Sequence, residues 1–191
     1  MDTDKEITTA VNQAEWEVWL EKNLEKAGGI WLRIYKKDSG IPTVSYDEAV
    51  ESGLCFGWID GQKGTYDDIS YIQRFTPRRA RSLWSKINTL KVDQLVKDGR
   101  MRPSGIAQIE TAKADGRWHA AYDSAKNIQV PEDFAKALAE QPVAHAFFTR
   151  LSQSNRYAIL FRIQTAKKPE TRTAWITRAI EMCAKGETFH P

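Results

Sequence analysis

Cysteine is nearly absent from this chain of 191 residues, which holds only Cys55 and Cys183. Two thiols exclude a disulfide framework and a four-cysteine zinc site, and both are read as reduced, small apolar residues of a cytoplasmic protein. Histidine is equally scarce. His119, His145 and His190 stand far apart, with no i, i+4 pair to set two imidazoles on one helix face, so no metal site is expected. No apolar stretch approaches the roughly 18 uninterrupted residues of a membrane helix. The opening MDTDKEITTAVNQ is acidic and polar where a secretory leader needs a basic tip and an apolar stretch, so neither membrane insertion nor export is expected. Nucleophile-elbow and dinucleotide-binding glycine patterns are missing too. Gly61-Gln62-Lys63-Gly64-Thr65 has the wrong glycine spacing for a phosphate loop, and its lysine precedes the second glycine, so it reads as turn chemistry and no cofactor is expected.

What is present is the composition of an ordinary globular protein: 41% hydrophobic and 28% charged residues, with 28 Lys+Arg against 25 Asp+Glu for a formal charge of +3. One compact domain or two small lobes of this length bury enough apolar surface to fold without staples. Residues 1–29 hold seven acids and three bases, so the basic surface lies beyond them. That balance is compatible with nucleic acid, nucleotide or acidic lipid as partner, and equally with simple solubility.

Asn12 with Glu15 reads as an N-cap and capping-box partner, opening a helix with Trp16, Leu20 and Leu24 on one face until Gly28-Gly29. Ile30–Lys36 alternates as a strand, with Ile30, Leu32 and Ile34 on one side and Trp31, Arg33 and Tyr35 on the other. After a loop through Gly40 and Pro42, a Ser45/Glu48 capping box opens a short helix that Gly53 is expected to end. Three strands, Leu54–Ile59, Gln62–Tyr66 and Ile69–Phe75, then read as an antiparallel meander turning at Asp60-Gly61 and Asp67-Asp68, with Arg74 on a mixed face. Pro77 ends the ladder.

From Asn88 onward capped helices replace strands. Val92, Leu95 and Val96 are expected inward on the first, and Ile106 and Ile109 on a second opened by Ser104. Further helices start at Pro131, with Phe134, Ala137 and Leu138, and at Pro142, with Val143, Phe147 and Leu151. The last two start at Ser152, with Ile159, Leu160 and Ile163, and at Pro169, with Ile176, Ala179, Ile180 and Cys183. Residues 117–130 read as a connector that packs through Trp118 and Tyr122. There is no internal repeat.

One dense constellation stands out. Residues 74–86 carry Arg74, Arg78, Arg79, Arg81 and Lys86 with no acid. Guanidinium groups grip phosphate or carboxylate in bidentate fashion, and Trp84 offers a stacking face; the plain alternative is a solvated loop with Trp84 in the core. Just upstream, Trp58 and Asp60 begin Trp58-Ile59-Asp60-Gly61-Gln62. Asp60 is a candidate general base or orienter of an arginine, against its reading as a tight-turn residue with Trp58 in the core beside Leu54 and Phe56. Gly57 within a strand pattern hints at a bulge. Arg156, early in its helix, hints weakly at an anion nearby, against a surface salt bridge.

These stretches resemble the YdeI/OmpD-associated, or bacteriocin-protection (OmdA-like), family. The resemblance rests on Gly53–Gln62, Arg74–Arg78 and Trp84–Asn88. It rests further on Gly99–Met101, Ala114–Trp118, Ser154–Tyr157 and Ala166–Arg172, and it spans about Trp16 to Gly186. It implies a role in resistance to cationic antimicrobial peptides and association with a porin, and it carries over no catalytic residue.

The sequence thus predicts an α+β protein. A small N-terminal α/β lobe with an antiparallel meander, residues 1–87, precedes a helical lobe, residues 88–191. The expected function is binding of a small anionic ligand or a protein partner in the cytoplasm, with stress resistance implied by the resemblance. Arg74, Arg78, Arg79 and Lys86 supply charge, Trp58 and Trp84 the walls, with Asp60 and Gln62 beside them. An enzyme of unknown reaction using Asp60 near the arginines, a nucleic-acid-binding module and a protein-interaction module remain open.

Overall fold

The first helix begins where its cap predicts. Asn12 accepts the Glu15 amide at 3.0 Å, and α1 runs over Gln13–Lys22 with Trp16 and Leu20 buried. It stops well before Gly28, because the Asn23 side chain turns back onto the Trp19 carbonyl, and Leu24 is exposed. The protein is described by a computed structural model, which covers residues 6–190. Among these residues lie eight helices and one four-stranded mixed sheet, an α+β architecture.

The chain divides into two compact units. The first holds the chain up to Leu83 together with Asn88–His119; the second holds Trp84–Ile87 with Ala120 onward. The helices over 88–114, assigned from sequence to the helical lobe, therefore group with the sheet.

The sheet of the first unit comprises β1 (Ile7–Thr9), β2 (Ile30–Tyr35), β3 (Trp58–Asp67) and β4 (Ser70–Pro77), in the order β1-β2-β4-β3. β1, not foreseen, runs parallel to β2, while β2 with β4 and β4 with β3 are antiparallel. The expected three-strand meander is corrected on two counts. Leu54 and Cys55 are helical: α2 (Tyr46–Cys55), opened by the Ser45/Glu48 capping box, runs through Gly53. Gly53 stays helical, packed beside Phe75 and Trp58, and the turn falls instead at Gly57, with φ +79°. Asp60-Gly61 is no turn either. It sits in a bulge of one long β3, where the Gln73 side chain donates to the Gly61 carbonyl at 2.8 Å and keeps the ladder satisfied. The Asp67-Asp68 turn is present, with Asp67 accepting from the Ile69 amide and the Ser70 hydroxyl.

Helices α1 and α2 cover the face bearing Ile30, Leu32, Phe75 and Trp58, where Trp16 meets Phe75 edge-on and Trp19 meets Trp58 likewise. α3 (Lys86–Lys97) buries Val92 and Leu95 but leaves Val96 exposed; α4 (Pro103–Ala114), capped at Arg102 and not opened by Ser104, buries Ile109 but exposes Ile106. Arg100, between them, binds Glu17 of α1 and Glu51 of α2, each at 3.1 Å.

The second unit packs α5 (Glu132–Ala139), α6 (Pro142–Arg150), α7 (Gln153–Thr165) and α8 (Pro169–Ala184) around Phe134, Leu138, Phe148, Ile159, Leu160, Ile163, Ala179 and Cys183. Val143, expected inward, is exposed. The connector packs: the Tyr122 amide donates to the Trp84 carbonyl, and its ring meets Phe161 edge-on. No helix among the described residues is long and apolar enough to cross a membrane.

Hydrogen bonds from Arg172 hold the Asp133 carboxyl below its ordinary range, and those from Lys86 do the same for Asp123. Because both folded-state values are depressed, the stability these groups add is complete above the unfolded carboxylate value near ~3.9 and is lost as pH falls through the folded values. The urea midpoint should therefore hold from neutral pH to about pH 5 and drop below about pH 4. Asp133→Asn should flatten part of that drop, and an unchanged acid profile would show the pair contributes nothing.

Candidate functional site

Arg74 stands opposite Trp31 across β2 and β4, on the sheet face away from α1 and α2, with its guanidinium 5.5 Å from the Trp31 ring and donating to the Gly28 carbonyl. Its neighbours there, named from the sequence as one face of a strand, were not among the expected site residues. Arg33 lies between the Tyr35 and Tyr66 rings at 4.5 and 4.4 Å, and binds Asp67 and Ser70. The alternation of Trp31, Arg33 and Tyr35 was the available signal.

The other predicted residues scatter. Arg78 is 5% exposed, its Nη1 donating to the Leu83 carbonyl and its amide to the Gly57 carbonyl. Trp58 and Trp84 are buried, each at 1% exposure. Lys86, in the second unit, pairs with Asp123 at 2.9 Å; Gln164 also donates to Asp123, and Tyr157 to its carbonyl. Gln62, Arg79 and Arg81 are exposed. Asp60 shares the helix-covered face with Phe75, its cross-strand partner, and so lies on the opposite side of the sheet from Arg74. The pairing of Asp60 with that arginine is therefore not formed.

Asp60 instead accepts from Tyr46, a residue that lines a cleft. The end of β2 at Ile34 and Tyr35, the following Lys36 and Lys37, the Gly40–Thr43 loop, the start of α2 and Tyr71 enclose about 620 Å³, within the ~300–1,000 Å³ range of small-molecule sites. The loop is pinned by the Tyr35 amide on the Thr43 hydroxyl, the Ile41 amide on Ser39 and the Val44 amide on the Ala10 carbonyl. Tyr46 donates its hydroxyl to Asp60 Oδ2 at 2.7 Å. Burial, and then that hydrogen bond, push the Tyr46 phenol far above its ordinary value; burial also raises Tyr71, whose ring lies 4.1 Å from Lys63 Nζ. Tyr46 is thus a fixed O–H donor, not a base, at neutral pH. Lys37 has no carboxylate partner among the described residues.

Neither thiol is poised as a nucleophile. Burial pushes Cys55 up to about 11 and raises Cys183 as well. Among the described residues no group of three or more His, Cys, Asp or Glu is arranged to hold a metal ion.

The remaining motifs of the resemblance are architectural. In Ala166–Arg172, Pro169 starts α8, and Arg172 clamps Asp133 through two nitrogens while donating to the Ile163 carbonyl. Asn155 exchanges hydrogen bonds with the His190 backbone, and Arg156 stacks 5.2 Å from the Phe148 ring.

The fold and cleft define an α+β protein with one sheet-based and one helical unit. By family, the chain belongs to the Domain of unknown function (DUF8412) family, whose model matches residues 8–108, more than half its length, and residues 127–186 match Bacteriocin-protection, YdeI or OmpD-Associated. The second match covers the C-terminal part of the expected resemblance; the Gly53–Gln62 and Arg74–Arg78 stretches fall within the first. No curated protein and no solved structure matches the chain.

Proposed function

We propose that the protein is a binding module for a small anionic ligand with an apolar or aromatic body, held in the cleft at the start of α2. The observation that carries this reading is the half-open cleft itself, where Tyr35, Tyr46 and Tyr71 form walls and Lys36 and Lys37 outnumber the one lining carboxylate, Asp47. Lys37 meets the charge, and the Tyr46 ring, fixed by its hydroxyl donating to Asp60, packs against the apolar body. Any bacteriocin-protection role, as the description of the matched C-terminal family reads, would work through this binding. The buried thiols fit a cytoplasmic setting.

A second reading rests on Arg74, Arg79 and Arg81, which no carboxylate meets among the described residues. Thermal-shift screening against nucleotides, phosphorylated metabolites and acidic sugars separates the two. A ligand at about 100 times its Kd stabilises by about 2.7 kcal/mol, a rise in Tm of about 5–10 °C for a chain of this size. Lys37→Ala/Tyr46→Phe should abolish the rise and Arg79→Ala/Arg81→Ala should leave it. The reverse pattern assigns the ligand to the arginines, and no shift from any compound rejects both.

A further inference from the structure

The basic charge of this protein is concentrated in its second unit, whose two segments carry 11 Lys+Arg against 7 Asp+Glu. The ion pairs there, among the described residues, are Lys86–Asp123, Lys136–Glu132 and Arg172–Asp133. The remaining cations include Arg162 and Arg178, and these two form a cation–aromatic cluster with Trp175 and Phe189. The Arg162 guanidinium lies 4.1 Å from the Phe189 ring and 5.5 Å from the Trp175 ring, and the Arg178 guanidinium lies 5.4 Å from Trp175. The Trp175 and Phe189 rings also touch each other, with centroids 6.4 Å apart, and pack on the helical core, so Arg162 caps the ring pair and Arg178 covers Trp175 separately. Arg162 is anchored by Nη1 on the Ala158 carbonyl. Lys168 and Lys185, the exposed residues that cap α8 at its two ends, stand at seven-residue spacings from Trp175 and Arg178 and so flank the cluster, with Glu181 as the acid on that side.

We propose that this cluster is a binding surface for single-stranded nucleic acid. The lysines would neutralise successive phosphates, while the exposed guanidinium plane of Arg178, backed by the Trp175 ring, accepts an unpaired base. Such sequence-tolerant stacking contributes about 1–3 kcal/mol per base. An acidic peptide would use the charges and leave the plane without a role. A duplex hides its base faces, so the cluster favours a single strand. The surface is separate from the cleft of the first unit and does not depend on that site.

The test is fluorescence anisotropy of labelled oligo-dT and oligo-U of about 12 nucleotides, a length within single-strand site sizes, titrated with the full chain. Three to four phosphate contacts give a drop in affinity of about 20- to 50-fold between 50 and 200 mM salt. Arg162→Gln/Arg178→Gln should weaken binding at least about tenfold. Arg178→Lys should keep the salt slope while losing part of the affinity, because the charge stays and the plane goes. Should the double variant lose its fold by circular dichroism, Lys168→Gln/Lys185→Gln reads the same surface and should lower the salt slope by about one to two phosphate contacts. No binding at 50 mM salt overturns the proposal, as does unchanged affinity in the folded variants. Equal displacement of the oligonucleotide by an oligoglutamate peptide also overturns it, and assigns the surface to acidic proteins.

Discussion

Gly105→Ala should destabilise the protein by about 3 kcal/mol or more and lower Tm by about 6–12 °C, although alanine is by about 1 kcal/mol the better helix former. The residue sits within α4, and a Cβ there would lie 2.2 Å from the Cys55 carbonyl oxygen and 2.8 Å from both the Cys55 carbonyl carbon and the Leu54 oxygen. These are backbone atoms, which cannot swing aside as a side chain would. They are also engaged, because the Arg102 amide, at the start of α4, donates to the same Cys55 oxygen at 3.1 Å. Separating the helices to admit one methyl would break that bond and uncover the end of α2. Gly57 allows the same approach from the other side, standing 3.0 Å from the Ser104 carbonyl at the place its own Cβ would occupy. Gly28→Ala, with nothing within 4 Å of the added methyl, is the control and should change stability little. Urea denaturation decides it: a loss under about 1 kcal/mol at Gly105 would mean that α4 slides freely on α2.

This junction also explains where sequence and structure part. Capping chemistry is local, so Asn12, Ser45, Ser152 and the helix-opening prolines were legible from single stretches. Leu54–Ile59 was not, because a short apolar run suits a buried strand or the last turn of a buried helix, and α4 decides the matter from about fifty residues downstream. A Gly that looks like a stop was read at position 53, yet α2 runs through it and the positive φ that ends the segment falls at Gly57. Asp60-Gly61 has turn chemistry, and only the Gln73 side chain on β4 turns the pair into a bulge. Val96, Ile106 and Val143 fit the helical period but stand exposed, since periodicity finds a face without saying how wide the covered stripe is.

The site was less legible than the fold for a related reason. A run of arginines in sequence says nothing of which side chains turn inward, and Arg78 is taken up by the Leu83 carbonyl while Arg79 points to solvent. The cleft draws on β2, the 36–45 loop, α2 and Tyr71, four stretches with no shared motif. Only Asp60 connects it to the predicted set, through a hydroxyl that no spacing rule would have paired with it.

Asp115→Ala should cost about 2–3 kcal/mol, since Asp115 is itself exposed while Arg117 is buried, more than Arg117→Met at about 1–2 kcal/mol, and the double variant should cost less than Asp115→Ala alone. Arg117 is 4% exposed. Its Nε donates to both Asp115 oxygens, at 2.9 and 2.7 Å, its Nη1 donates to the Ser82 carbonyl at 2.9 Å, and its Nη2 is buried with no partner among the described residues. Asp115 is the C-cap residue of α4, where the negative end of the helix disfavours a carboxylate. Its placement makes physical sense as the counter-charge of the guanidinium. Removing it leaves a cation out of water with one carbonyl for company, whereas methionine replaces the cation with apolar atoms of similar length and deprives only Ser82 of a donor. A double-mutant cycle read by urea denaturation should therefore give a coupling of about 1–3 kcal/mol. If Arg117→Met proves the costlier change, the Ser82 bond, which holds the loop after Arg78, is the dominant contribution, and the carboxylate serves only to orient it.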